Sequence, residues 1–209
     1  MFYVIMEDLD KKDFEPESLV DKAIKDEGTL SDLMDGLKSK KDSYRYNSFQ
    51  VLLLISEKEP EVLYPNWEHF AELLLSENNY HKVIGIKILA NLVKIDEKDK
   101  LDLIFDEYVD LIKAKSIMTA RTVVENLGKI AKFNPQLSDK ITDILMDVEN
   151  SVRDFQRKEL IKADVVKAFS MYFDQIEEQE KVLSYVKGQL ESDSPKTRKM
   201  ANSFLKKYQ

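Results

Sequence analysis

The chain has 209 residues, of which 43% are hydrophobic and 34% charged, and its formal net charge is −7. This composition supplies enough apolar side chains for a core and excludes a wholly disordered chain. Because the sequence contains no cysteine, disulfides, thiolate catalysis and cysteine-ligated zinc are excluded.

The first 41 residues are predicted to form an irregular helical opening. The apolar segment Met1–Met6 is short, has no basic region and is followed by acidic residues, so it does not match the pattern of a secretory signal peptide. We expect it to be strand-like or helical and to cover one end of the core, and we expect the protein to be cytoplasmic. Two helices are predicted at about 15–26 and 29–39, with Gly28 between them.

From residue 42 onward, one motif returns five times at nearly constant spacing. It combines a basic residue, a compact anchor three positions later, and apolar residues four and seven positions after the anchor. The third copy has Ala120 in place of the basic residue. The anchors lie 37, 38, 42 and 36 residues apart, and a repeat of this period is typical of stacked helical pairs. The five anchors are Ser48, Gly85, Val123, Val165 and Ala201.

Each copy of the motif predicts the first helix of a repeat, and an apolar stripe with helical spacing predicts the second helix. Pro60 and Pro135 mark the starts of two second helices, because proline is tolerated at a first helical position. Asp96 precedes another second helix as a good N-cap, and Pro65 should kink its helix or delay the start. First helices are predicted at about 42–56, 79–94, 116–132, 153–174 and 195–207, and second helices at about 60–77, 97–114, 136–149 and 176–191.

The repeat is irregular at one place. Val165 follows Val148 by 17 positions, whereas the corresponding interval in two earlier repeats is 11 positions. The extra residues, near Asn150–Lys158, must lengthen a helix or bulge from the stack. The core is predicted to contain the five anchors together with Leu63, Trp67, Phe70, Leu74, Phe105, Tyr108, Ile112, Ile141, Leu145 and Val148.

These residues resemble a HEAT repeat protein. The segment Ser194–Leu205, with Pro195, Arg198 and Ala201, is the best match to that family's first-helix pattern, and the segment Arg45–Ser56 follows it. The resemblance covers about residues 42–209 and implies a right-handed superhelix whose second helices line a concave face. It also implies a binding scaffold, since such proteins usually serve as scaffolds and only a few bind nucleic acid or act as enzymes.

The sequence therefore predicts an all-α protein, a right-handed α-solenoid of about five stacked antiparallel helix pairs of the ARM/HEAT type. Residues 1–209 are predicted to form a single HEAT-like repeat domain. Within it, residues 1–41 form the irregular N-terminal helices, and residues 42–209 form four full repeats and a terminal helix.

Charge is sorted by helix type. The predicted first helices hold 17 basic and 6 acidic residues, whereas the second helices hold 6 basic and 18 acidic residues. Three pairs of acidic residues lie four positions apart on successive second helices, a spacing that costs an isolated helix roughly 0.2–0.5 kcal/mol per pair. A locally unfavourable pattern often marks a functional surface. We call these residues the acidic set: Glu68, Glu72, Asp106, Asp110, Asp143 and Asp147.

The sequence leaves three interpretations of the acidic set open. The first is a solvated surface whose carboxylates pair with lysine and arginine of adjacent helices. The second is a concave surface that recruits a basic segment of a partner protein and selects the sign of its charge. The third is a divalent-ion site, which is disfavoured because carboxylates along helices do not form the oxygen cage that calcium prefers.

The sequence gives no support for catalysis, for a cofactor or for a metal site. His69 and His81 have no ligating partner at helical spacing, and we expect both at the surface or its edge. Phosphate-binding loops, nucleophile elbows and the zinc-protease motif are absent from the sequence. No apolar run is long enough to span a membrane. Tyr44, Tyr46 and Tyr80 are the best positions for exposed aromatic side chains.

We therefore predict a non-catalytic protein-interaction scaffold with an acidic concave face, which binds a basic segment of another protein and is itself a monomer. The alternative is a nucleic-acid-associated HEAT protein that binds phosphates through its basic first helices. A basic cluster near the C-terminus favours that alternative. The sequence pI of about 5.1 opposes it, because nucleic-acid-binding domains are usually basic. The cluster consists of Lys196, Arg198, Lys199, Lys206 and Lys207.

Overall fold

A computed structural model describes residues 2–11, 13–152 and 155–209, with the side chains of residues 2–4, 6 and 155–157 left out. The chain is 81% helical, and the described residues contain no strand, as predicted. The chain divides into two compact units, Met1–Ile95 (unit 1) and Asp96–Gln209 (unit 2). The prediction of a single repeat domain stays a prediction.

Unit 1 begins with three short helices and continues with two long helices, α4 and α7, separated by short segments. A 3₁₀ turn at residues 64–66 contains Pro65 and interrupts the segment that was predicted as the second helix of the first full repeat. This interruption was predicted from Pro65. Pro60 occupies a first-turn position of its helix, also as predicted. The helices of unit 1 are α1 (Phe2–Leu9), α2 (Glu17–Lys25), α3 (Glu27–Gly36), α4 (Asp42–Lys58), α5 (Pro60–Leu63), α6 (Trp67–Glu72) and α7 (Asn79–Leu92).

Unit 2 contains three long helices, α9, α12 and α14, with short helices between them. Ser116 and Ser194 cap two of the long helices, because each hydroxyl accepts a hydrogen bond from a backbone N–H of the first turn. The helices of unit 2 are α8 (Phe105–Asp110), α9 (Ile117–Phe133), α10 (Ser138–Met146), α11 (Val148–Ser151), α12 (Phe155–Tyr172), α13 (Gln179–Gly188) and α14 (Pro195–Tyr208).

The anchors of the motif lie where helices approach closely. A Cβ added to Gly85 on α7 would stand 2.7 Å from the carbonyl oxygen of Phe70 on α6, so only glycine fits this contact. Ser48, Val123, Val165 and Ala201 are each fully inaccessible to solvent. The prediction that all five anchors are buried is therefore confirmed.

The predicted core is also confirmed. Every core residue named from the apolar stripe is at most 3% exposed, including Trp67 and Tyr108. Burial raises the pKa of the Tyr108 hydroxyl well above its usual value, since the charged form would lose its hydration. Three tyrosines were the best candidates for exposed aromatic side chains. Tyr46 and Tyr80 are more than half exposed, and Tyr44 is intermediate.

Two predicted boundaries are wrong. Gly28 lies inside the first turn of α3 instead of between two helices, because Asp26 caps that helix by accepting a hydrogen bond from the N–H of Thr29. Residues 97–104 form turns, and the short helix begins only at Phe105. Asp96 caps a turn there by accepting from the N–H groups of Lys100 and Leu101.

The described residues of the insertion fall on two helices. Residues 150–151 end α11 (Val148–Ser151), residues 155–158 begin α12, and Arg153 and Asp154 lie outside the described residues. The insertion therefore lengthens α12 at its start, because the anchor Val165 is its eleventh residue, whereas Ser48 and Val123 are the seventh residues of α4 and α9. Part of the predicted Asn150–Lys158 insertion cannot be compared, because it falls on Arg153 and Asp154.

Candidate functional site

All six side chains of the acidic set are exposed to solvent. In unit 1, Glu68 and Glu72 lie one turn apart on α6. In unit 2, Asp106 and Asp110 lie on α8 and Asp143 on α10, while Asp147 joins α10 to α11. A continuous concave ridge across both units stays a prediction.

Lysines link the acidic set of unit 2 from helix to helix. Lys140 on α10 lies 3.5 Å from Asp106 on α8, and Lys181 on α13 lies 3.0 Å from Asp143 on α10. Within one turn, Lys113 pairs with Asp110 at 2.6 Å. These contacts match the interpretation of a solvated surface for three of the six carboxylates.

The lysine pairs of the acidic set are weak because water reaches both partners. The side chains of Asp106 and Lys140 are 96% and 56% exposed. Ion pairs of this kind contribute about 0–1 kcal/mol, since solvent and salt screen the charges. The hydrogen bond to Asp143, and to a lesser extent that to Glu178, raises the pKa of Lys181. The carboxylates therefore stay accessible to a competing cation.

Asp147 lines a cleft at the inserted helix. The cleft has a volume of about 790 Å³ and is bordered by Lys113 and Lys115 on one side and by Asn150 and Val152 on the other. The Asn150 amide donates a hydrogen bond to the Asp147 carboxylate. Asp147 therefore has a local partner and differs from the aspartates that pair with lysine.

Basic residues of the repeat motif serve the fold. Arg45 on α4 donates a hydrogen bond of 3.0 Å to the carbonyl of Ser39, six residues earlier. Arg198 on α14 donates in the same way to the carbonyl of Ser192, also six residues earlier. In these two copies the motif arginine thus satisfies a carbonyl of the turn that precedes its helix. In the fourth copy, Lys162 pairs with Glu159 instead.

A buried carboxylate that the sequence did not single out lies on a long helix of unit 2. Arg121 on α9 donates two hydrogen bonds to Asp164 on α12, of 2.6 and 3.1 Å, and Lys196 on α14 lies 3.5 Å from the same carboxylate. The Asp164 side chain is only 6% exposed. The bond to Asp164 raises the pKa of Arg121. The sequence held one sign of this ion pair. The third motif copy lacks the usual basic residue at Ala120, and Arg121 follows one position later.

The two histidines lie at the edge of the structure, as expected from the sequence. Both are intermediate in exposure, and burial is the main cause that lowers their pKa values. His81 Nδ1 lies 3.0 Å from the Ser76 hydroxyl, whereas His69 Nε2 is buried without a hydrogen-bond partner in the described part of the chain.

Among the described residues, no three histidine, aspartate or glutamate side chains come close enough together to hold a metal ion. A membrane-crossing helix is likewise not found in that part of the chain, because each helix is too short or too polar.

Comparison with known proteins identifies the fold. No protein-family model matches the sequence, and no curated protein is similar to it. Among solved structures, the chain is similar to the designed armadillo repeat protein YIII(Dq)4CqI, with a TM-score of 0.56 and 14% sequence identity over 99% of both chains. At this identity the likeness concerns the fold alone. The chain thus has an all-α repeat fold of the armadillo/HEAT type.

Proposed function

We propose that this chain is a non-catalytic protein-interaction scaffold, and that its acidic set binds a basic segment of a partner protein. The observation that carries the proposal is the exposure of all six carboxylates on the short helices. A repeat scaffold suits this role, because repeat proteins of this kind use extended surfaces to bind their partners.

The charge balance of unit 2 supports a basic partner even after the lysine pairs are counted. Residues 97–113, 135–149 and 176–191 together hold 14 acidic and 6 basic residues, a net charge of −8. An arginine of the partner can replace a paired lysine at little cost, because its planar guanidinium binds a carboxylate through two hydrogen bonds. Such a surface favours fast, salt-dependent association.

The alternative, phosphate binding through the basic long helices, has less support. Arg45 and Arg198 bind backbone carbonyls, Arg121 binds Asp164, and Lys167 pairs with Glu125. These side chains are engaged within the fold. One observation still favours the alternative, namely that four lysines of α14 are exposed: Lys196, Lys199, Lys206 and Lys207.

Charge reversal with a matched control tests the proposal. One variant changes Asp106, Asp110, Asp143 and Asp147 to lysine. The control variant changes four other exposed acidic residues to lysine, so that the net charge of both variants is equal: Asp13, Glu15, Glu17 and Asp21. The probe is a fluorescent peptide of alternating arginine and serine, and binding is measured by fluorescence anisotropy at several salt concentrations.

We expect the unit 2 variant to lose at least about tenfold in peptide affinity and the control variant to lose much less. Affinity for the wild-type protein should fall as salt rises. Circular dichroism should show unchanged helicity, since all the altered side chains are exposed. An equal loss in both variants would mean that only net charge matters, and this result would contradict the proposal. Stronger binding of a short DNA duplex, lost on changing Lys199, Lys206 and Lys207 to glutamate, would favour the alternative.

A further inference from the structure

Unit 1 contains an open groove lined in part by His69, a residue of α6, the helix that also carries Glu68 and Glu72. The groove has a volume of about 580 Å³, which lies within the range of roughly 300–1,000 Å³ that is usual for ligand pockets. It lies between the opening helices α2 and α3 and the segment that runs from α5 to α6. Its apolar lining consists of Ile24, Leu30, Met34, Val62 and Pro65.

His69 on α6 forms part of the groove wall. The edge of its ring meets Phe70, with the ring centroids 5.7 Å apart and the planes 84° from parallel. Burial lowers the pKa of His69, so the imidazole is neutral at neutral pH and adds a partly apolar surface to the lining.

Charged side chains also line the groove. Two of them, Glu27 and Asp35, are acidic, and one, Lys38, is basic. After burial, Lys38 also lowers the pKa of His69, while Glu72 and Asp35 raise it. The balance of these groups is negative, and an occupant with positive charge is favoured.

We propose that this groove receives an aliphatic side chain of a basic segment, so that the segment recognised by the protein carries leucine or a similar residue between arginines or lysines. The inference rests on the proposed function and specifies the chemistry of its partner. The apolar lining selects the anchor side chain, and Glu27 and Asp35 of the lining hold the flanking cations. Other occupants, such as an acidic segment or a second copy of this chain, are tested as alternatives below.

Two peptides of equal charge separate the groove from general electrostatic attraction. One peptide alternates arginine with leucine, and the other alternates arginine with serine. We expect the leucine peptide to bind the wild-type protein about tenfold more tightly, because burying one aliphatic side chain contributes an effect of this order. The imidazole signals of His69 should shift in NMR spectra on binding, while those of His81 stay in place, and the chain has only these two histidines.

A variant that fills the groove provides the decisive comparison. Ser31 is exposed and lines the groove, so Ser31→Phe should remove the preference for leucine without changing the affinity for the serine peptide. The matched control is Ser184→Phe, at an exposed position of α13 in unit 2, which should bind both peptides like the wild type. If Ser31→Phe unfolds the protein, Ser31→Leu is measured instead.

The outcomes distinguish this inference from the proposed function. Equal binding of the two peptides overturns the proposal that the groove binds an aliphatic side chain, but it leaves the proposed binding role of the acidic set standing. A leucine preference that survives in the Ser31 variants, or that leaves the His69 signals unmoved, places the anchor elsewhere and also overturns the groove. Failure of both peptides to bind overturns the proposed function itself. Tighter binding of a glutamate–leucine peptide, or concentration-dependent dimerisation that Ser31→Phe abolishes, would identify one of the other occupants.

Discussion

Arg121 and Lys181 each hold a carboxylate on another helix of unit 2, but their surroundings differ. Asp164 is 6% exposed where Arg121 binds it, whereas Asp143 is 71% exposed where Lys181 binds it. A carboxylate removed from water depends on its partner, while a solvated carboxylate exchanges its partner for water. The long helices of unit 2 therefore use part of their charge to hold the fold together, and the short helices keep theirs open to solvent.

The largest expected effect follows from removing the partner of the buried carboxylate. Arg121→Met should lower the free energy of unfolding by about 2–3 kcal/mol, because the buried Asp164 carboxyl group then lacks two hydrogen bonds. The full cost for a buried pair is roughly 3–5 kcal/mol. We expect less because Arg121 is 34% exposed and Lys196 lies near the same carboxylate. Urea unfolding followed by circular dichroism measures the loss.

The double variant Arg121→Met with Asp164→Leu is the control for this prediction. Replacing a buried ion pair by apolar side chains is often neutral, so most of the stability should return. A loss below about 0.5 kcal/mol in the single variant would contradict the contrast between the two ion pairs, since exposed pairs already contribute that little.

A smaller effect is expected where α9 and α12 touch. A Cβ added to Gly128 would stand 2.7 Å from the Cα of Ala168 and 2.8 Å from its carbonyl oxygen, so backbone has to move. Gly128→Ala should cost about 1 kcal/mol net, because overpacking costs roughly 1–3 kcal/mol and the gain in helix propensity offsets part of it.

Gly188 at the end of α13 is the matched control for the glycine change. Nothing lies within 4 Å of a Cβ added there, and the residue has helical dihedral angles. Gly188→Ala should therefore stabilise the protein by about 0.4–1 kcal/mol. Thermal melting of the two variants checks both signs, and a Gly128→Ala protein as stable as the wild type would mean that α9 and α12 separate easily.

Periodicity predicted most of the fold, because both kinds of helix bury residues at fixed intervals. The anchors and the apolar stripe identified the core. The periodic pattern missed the turns at residues 97–104, which local interactions determine. Asp96 caps a turn where a helix was predicted. Asp99 has a φ of 51°, which is incompatible with continuing a helix.

The candidate site was less accessible to sequence reasoning than the fold. Charge sorting located exposed carboxylates, since charged residues on a helix face away from the core. It did not reveal which carboxylates have partners, because Asp106 and Lys140 are 34 positions apart and meet only in the folded chain. The His69 groove depends on how the irregular opening helices pack, and no repeat pattern extends over that segment.

The smallest expected effect concerns the exposed counterpart of Arg121. Lys181→Ala removes an ammonium that lies 3.0 Å from Asp143 and 3.2 Å from Glu178, yet the midpoint of urea unfolding should not change measurably, because water already surrounds this ion pair. Because the change leaves both carboxylates without that competitor, the arginine–serine peptide should bind a few-fold more tightly. Urea unfolding and anisotropy titration measure the two quantities on the same protein preparation. A clear drop in the midpoint would mean that the short helices also depend on their ion pairs, in which case the acidic set is part of the fold and not a free binding surface.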